Sequence, residues 1–122
     1  MAPARHIVLI ADDDRLVRES LSDAFDGLGW GVRTAACGRE AIGLLERDRC
    51  DLLMSDIDMP DMTGFQLLDW ARVHPPTPAV VLMSARAEPA LWEAARRDGA
   101  IALLPKPIAF SAVRRVVAQW FA

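Results

Sequence analysis

The stretch His6-Ile7-Val8-Leu9-Ile10-Ala11-Asp12-Asp13 decides the fold: an apolar run that ends abruptly on two acids. A short run of this kind reads as a strand buried on both faces of a parallel sheet. Three later segments repeat the pattern. Leu52–Ser55 runs into Asp56, Ala79–Met83 into Ser84, and Ile101–Pro105 into Lys106. In open parallel sheets the ligand crevice lies outside the carboxyl ends of the strands. Three or four carboxylates, a hydroxyl and an amine are therefore expected to converge there. That set suits magnesium-assisted phosphoryl transfer to a carboxylate.

Helical patterns alternate with the strands, which argues for α/β architecture with right-handed crossovers. The first strand is expected over about His6–Ala11 and the first helix over Arg15–Leu28. Asp14 is its expected N-cap, and the Gly27/Gly29/Gly31 cluster its stop. A second strand follows at Val32–Ala35, then a helix after Gly38. The third strand is Leu52–Asp56, and the third helix runs from about Gly64 to His74. The Pro75-Pro76-Thr77-Pro78 segment reads as a rigid connector. The fourth strand is Ala79–Met83. Its helix, about Pro89–Asp98, is closed by Gly99 as a C′ glycine. The fifth strand is Ile101–Leu104. The last helix is about Phe110–Phe121, with Phe110, Val113, Val117 and Trp120 inward. One domain over residues 1–122 is expected, without repeats or linkers.

Composition narrows the class. A chain of 122 residues can bury one adequate core without staples. Its net charge of −3, with both signs interspersed, argues against a nucleic-acid surface. No apolar stretch approaches ~18 residues, and the first five residues lack a signal core, so a cytoplasmic location is expected. Cys37 and Cys50 have no metal-ligand spacing and read as packed thiols. His6 and His74 read as structural. The basic residues are more telling, because Lys106 is the only lysine among 14 basic residues. A single ammonium, a compact point charge, kept between two prolines at a strand end points to a function.

The chain resembles the receiver domain of two-component response regulators. Asp12-Asp13 after the first strand, Asp56 with Met59-Pro60 behind it, Ser84 after the fourth strand and Lys106-Pro107 after the fifth carry the resemblance. It implies a flavodoxin-like three-layer sandwich, a five-stranded parallel sheet of order 2-1-3-4-5 with five helices. It also implies a stand-alone phosphoacceptor of the chemotaxis-regulator type, and not a metabolic enzyme. Asp56 would take a phosphoryl group from a phosphohistidine of a sensor histidine kinase or histidine phosphotransfer protein. Asp13 and Asp56 would bind Mg2+ (or Mn2+), with Asp12 acting through water and Asp58 through its backbone carbonyl. Lys106 would pair with Asp56 in the empty site and with the phosphoryl group in the filled one. Ser84 would donate its hydroxyl. The Lys106–Pro107 bond would be cis.

The chain also departs from that family. Leu103 stands where an aromatic residue is usual, and there is no tyrosine. The coupled movement of Ser84 and an aromatic ring cannot run in its familiar form. Asp58 and Arg86, each two residues past a site residue, are positioned to form a lid over the phosphoryl group. Trp92 is expected to point outward beside Glu88 and Arg96, marking the helix 4–strand 5–helix 5 face as the surface for an output partner. Neither a membrane nor nucleic acid is expected to be bound directly. Two other readings exist. One is a receiver-like binding module that works without phosphorylation. The other is a phosphatase of the haloacid dehalogenase superfamily, suggested by Asp56-Ile57-Asp58. Pro60, the missing cap domain and the early acidic pair oppose the latter.

Overall fold

A computed structural model describes residues 5–86 and 88–121. Five strands and five helices alternate along the chain: β1 (Ile7–Ala11), α1 (Arg15–Gly27), β2 (Gly31–Ala35), α2 (Gly38–Arg47), β3 (Leu52–Asp56), α3 (Gly64–Arg72), β4 (Ala79–Ser84), α4 (Pro89–Arg97), β5 (Ala102–Pro105) and α5 (Phe110–Phe121). The strands form one parallel sheet in the order β2-β1-β3-β4-β5. This is the flavodoxin-like arrangement that the family resemblance implies.

The central strands β1, β3 and β4 are buried on both faces because their side chains alternate between two apolar layers. Leu9, Leu53, Val80, Leu82 and Leu103 face one layer, where α2, α3 and α4 contribute Ala41, Leu67, Leu68 and Ala95. Val8, Ile10, Leu52, Met54, Val81 and Met83 face the other, where α1 and α5 contribute Leu21, Phe25 and Val113. Both layers are apolar, so the central strands β1, β3 and β4 read as continuous hydrophobic runs, while the edge strand β2 carries Arg33 and an exposed Thr34.

Local signals act where expected. Asp14 caps α1, its carboxylate accepting from the Leu16 amide at 2.9 Å. Gly29 and Gly99 take positive φ, at 82° and 100°, just beyond the ends of α1 and α4. Thr63 and Gln66 form a reciprocal capping box on α3. No helix among the described residues is long and apolar enough to cross a membrane.

The α5 face needs a correction. Val113 is buried, and Val116, Val117 and Phe121 pack beside it. Phe110 and Trp120, expected inward, are 45% and 50% exposed. The stripe 113–117–121 runs at i,i+4 and ends on Phe121, whose ring meets Trp30 at 5.1 Å and His6 at 5.3 Å. That aromatic contact fixes the rotation of the helix and turns Trp120 to solvent. Phe110 is covered instead by the Arg114 guanidinium, 5.1 Å above its ring.

Candidate functional site

Parallel pairing brings the polar ends of four strands to one edge. Ser84 closes β4, and its carbonyl accepts from the Lys106 amide at 2.9 Å, which locks the turn after β5 beside it. Asp56 closes β3, and the Ile57 amide continues the ladder onto Met83 at 2.9 Å. The Asp12 amide donates to the Ala35 carbonyl at 3.0 Å, extending β1 by one residue. Four polar side chains are thereby buried: Asp12, Ser55, Asp56 and Ser84. Three of these belong to the predicted set. The fourth, Ser55, satisfies itself on the Asp56 carbonyl at 3.0 Å.

The three acids meet. Asp12, Asp13 and Asp56 each offer a carboxylate oxygen, all within 4.8 Å of one another. Asp12 is fully buried and Asp13 exposed, so the cluster opens to solvent on one side. Like charges so close destabilise one another. Burial, and next the charge of Asp12, hold the Asp56 carboxyl above its usual range, against the pull of Lys106 and of the Asp58 amide.

Lys106 reaches in from edge strand β5. Its Nζ lies 2.8 Å from Asp12 Oδ2 and 3.3 Å from Asp56 Oδ2. The pairing expected with Asp56 is therefore shared, with Asp12 nearer. Burial taken alone would lower the lysine pKa, but the bonds and charges of Asp12 and Asp56 outweigh it and raise the pKa. The Asp12 Oδ2 atom is buried and faces the Lys106 ammonium and no other donor among the described residues. A buried carboxylate oxygen with lone pairs to spare, facing two further carboxylates, is a donor set suited to a hard cation. The Lys106–Pro107 peptide bond is cis.

The Ser84 hydroxyl oxygen accepts from the Arg86 amide at 2.9 Å, an ST-type turn that fixes its position. The Arg86 guanidinium in turn lies 3.2 Å from Asp58 Oδ2 and 3.4 Å from Oδ1. The two residues come from loops after the adjacent strands β4 and β3, and both are exposed. Leu103 is buried between the sheet and α4. Trp92 lies on the outer side of α4 and is 43% exposed, with Glu88 and Arg96 also exposed. Ala95 is buried against the sheet and Leu91 packs on the same core, while Ala94 is half-buried.

Three supporting residues escaped the sequence reading. Arg18 of α1 donates from Nη1 to the Asp12 carbonyl at 2.7 Å. Gly64 begins α3 so close to β3 that an added Cβ would stand 2.6 Å from the Asp56 carbonyl oxygen. Asp61 accepts from the Gly38 and Arg39 amides at 2.9 and 2.7 Å, capping α2 from the loop that follows Asp56. These amide bonds hold its carboxyl below the usual aspartate range. Far from this edge, burial pushes the Cys50 thiol up to about 12, which fits an inert packed cysteine.

The family model described as the response regulator receiver domain matches residues 8–118. The chain belongs to that family. A response regulator receiver protein of Anaeromyxobacter sp. (strain Fw109-5) is 41% identical over 102 residues, covering 83% of this chain and 42% of that protein. The DNA-binding transcriptional regulator NtrC of Klebsiella pneumoniae is 36% identical over 103 residues, 84% of this chain and 22% of that one. The receiver thus spans less than half the length of the curated relatives it matches. Among solved structures, the Vibrio cholerae chemotaxis protein CheY4 superimposes with a TM-score of 0.88 at 28% identity, covering 97% of this chain and 100% of that one. A CheY-like receiver domain protein of Methanospirillum hungatei JF-1 gives 0.87 at 25% identity, covering 95% and 93%.

Proposed function

We infer that residues 1–122 form one receiver domain that accepts a phosphoryl group on Asp56 from a phosphohistidine. One observation carries this reading: the sole lysine reaches past Asp56 to Asp12, at 3.3 and 2.8 Å, inside a triad of carboxylates. A half-buried ammonium between two buried acids, one of them a strand-end carboxylate, suits a nucleophile that gains charge on reaction.

In this reading an Asp56 carboxylate oxygen attacks phosphorus in line with the phosphorus–nitrogen bond of the donor histidine, which breaks as the aspartyl phosphate forms. Asp13 and Asp56, with the Asp58 carbonyl, would hold Mg2+ or Mn2+, with Asp12 acting through water. The cation supplies charge neutralisation for the phosphoryl oxygens. Lys106 moves its pairing from Asp56 to a phosphoryl oxygen and keeps Asp12 as a second partner. Ser84 donates its hydroxyl to another phosphoryl oxygen, its own oxygen steadied by the Arg86 amide. Burial of Leu103 favours repacking, rather than rotation of an aromatic ring, as the route from Ser84 to α4 and β5. The donor is a sensor histidine kinase or a phosphotransfer protein, and the output partner binds the α4–β5–α5 face.

Transfer from a phosphorylated histidine phosphotransfer protein tests this directly. Stoichiometric, magnesium-dependent loss of phosphate from the donor to this chain supports the reading. Failure to accept phosphate, with the fold intact, favours the binding module. Catalytic turnover of a small phosphomonoester would favour the phosphatase.

A further inference from the structure

Asp12 is gripped at each of its polar atoms, and one grip comes from a helix rather than from the site. Its amide donates to the Ala35 carbonyl at 3.0 Å, and its Oδ1 accepts from the Asp14 amide at 2.9 Å. Its Oδ2 lies 2.8 Å from Lys106 Nζ. Its carbonyl accepts from Arg18 Nη1 at 2.7 Å. Arg18 is half-buried, and its backbone is set by the start of α1, where its amide donates to the Asp14 carbonyl at 3.1 Å. The Asp12 carbonyl is one end of the Asp12–Asp13 peptide plane. A peptide is planar, so fixing that oxygen fixes the direction in which the chain enters Asp13.

We propose that Arg18 is a positioning residue of the acidic triad: its guanidinium on the Asp12 carbonyl orients the Asp12–Asp13 peptide and so sets the carboxylate spacing that divalent-cation binding needs. The inference rests on the site being a magnesium-dependent phosphoacceptor. Without the guanidinium, the carbonyl is free to turn toward water, and the exposed Asp13 carboxylate loses its register with the buried Asp12 and Asp56. The contact uses a single Nη1 donor at the end of a side chain longer than a lysine's, so a lysine would bring the charge without the reach.

The sign of the effect separates positioning from simple electrostatics. Arg18 is a positive charge beside a cation site, so removing the charge alone would tighten magnesium binding. Losing a positioning partner weakens it. The experiment is a magnesium titration of Arg18→Met in the full chain, read by melting temperature and by labelling rate from acetyl phosphate. Half-saturation should move to about tenfold higher magnesium, the low end for loss of an outer partner of a metal site because this bond goes to backbone. The labelling rate should recover at high magnesium. An unchanged or lower half-saturation would overturn the proposal, as would a rate that stays depressed at saturation. Should Arg18→Met fail to fold, Arg18→Lys replaces it, and an unshifted half-saturation there is equally contrary. The parent and Asp13→Ala are titrated alongside. A parent indifferent to magnesium would overturn the reading of the site, and this inference with it. A responding parent with an unshifted Arg18 variant overturns this inference alone.

Discussion

Lys106 Nζ stands 2.8 Å from Asp12 Oδ2, nearer than its 3.3 Å to Asp56 Oδ2. The lysine is thus anchored on a carboxylate that is not the proposed phosphoacceptor. It also follows that Asp56 has only a shared counter-ion for its negative charge. Its carboxyl is raised by burial first and by Asp12 second.

A pH dependence with a definite sign results. An acid whose folded pKa lies above its unfolded value destabilises the fold once it ionises. Its cost is absent below the unfolded pKa and grows as pH rises through the folded one. Without divalent cations, Asp56→Asn should therefore melt higher than the parent at neutral pH. The gap should close as pH falls toward the ordinary aspartate value, 3.8. Melting curves of both proteins across that range check it. An Asn variant that is less stable at neutral pH would mean that Asp56 is held by Lys106 more than it is repelled by Asp12.

Arg86 and Asp58, each two residues past a strand-end site residue, form an exposed ion pair. Hydrolysis of an aspartyl phosphate requires a water in line with the bond being broken, and the proposed lid would flank that approach. Exposed ion pairs contribute only ~0.2–1 kcal/mol, so the expected retardation is a few-fold. Arg86→Ala should shorten the phosphorylated lifetime at low salt, and the difference should shrink as salt screens the pair. A lifetime that lengthens, or that is unchanged at every ionic strength, would show that the pair is no lid.

Trp92 is 43% exposed on α4, a helix whose inward positions are filled by Leu91, Ala94 and Ala95. A half-exposed tryptophan on the proposed output face suits an interface anchor. Trp92→Ala should weaken partner binding or self-association by more than ~1 kcal/mol while leaving the melting temperature in place. Calorimetric titration and a melting curve distinguish the outcomes. A fall in stability would assign the ring to the core.

Much of this was legible in the residues because a buried parallel strand has little freedom. Leu52–Met54 must be apolar on both sides, so the polar residues that follow stand out as belonging to the crevice. The Asp58–Arg86 pair was legible for a related reason, since equal offsets after adjacent strands place two side chains abreast. The face of α5 was not. Phe110, Val113, Val117 and Trp120 compete with Val113, Val117 and Phe121 as apolar stripes, and only the ring contacts of Phe121 with Trp30 and His6 decide between them. Arg18, Asp61 and Gly64 were also hidden. Each acts on backbone atoms outside its own element, and such atoms leave no mark in side-chain chemistry.

The most direct test of the phosphoacceptor reading is the intact mass of the protein after incubation with magnesium and acetyl phosphate, parent beside Asp56→Asn. One added phosphoryl group is expected on the parent, removable by hydroxylamine as an acyl phosphate is, and none on the folded variant. A variant that still gains the phosphoryl group, or a folded parent that gains none, would contradict it.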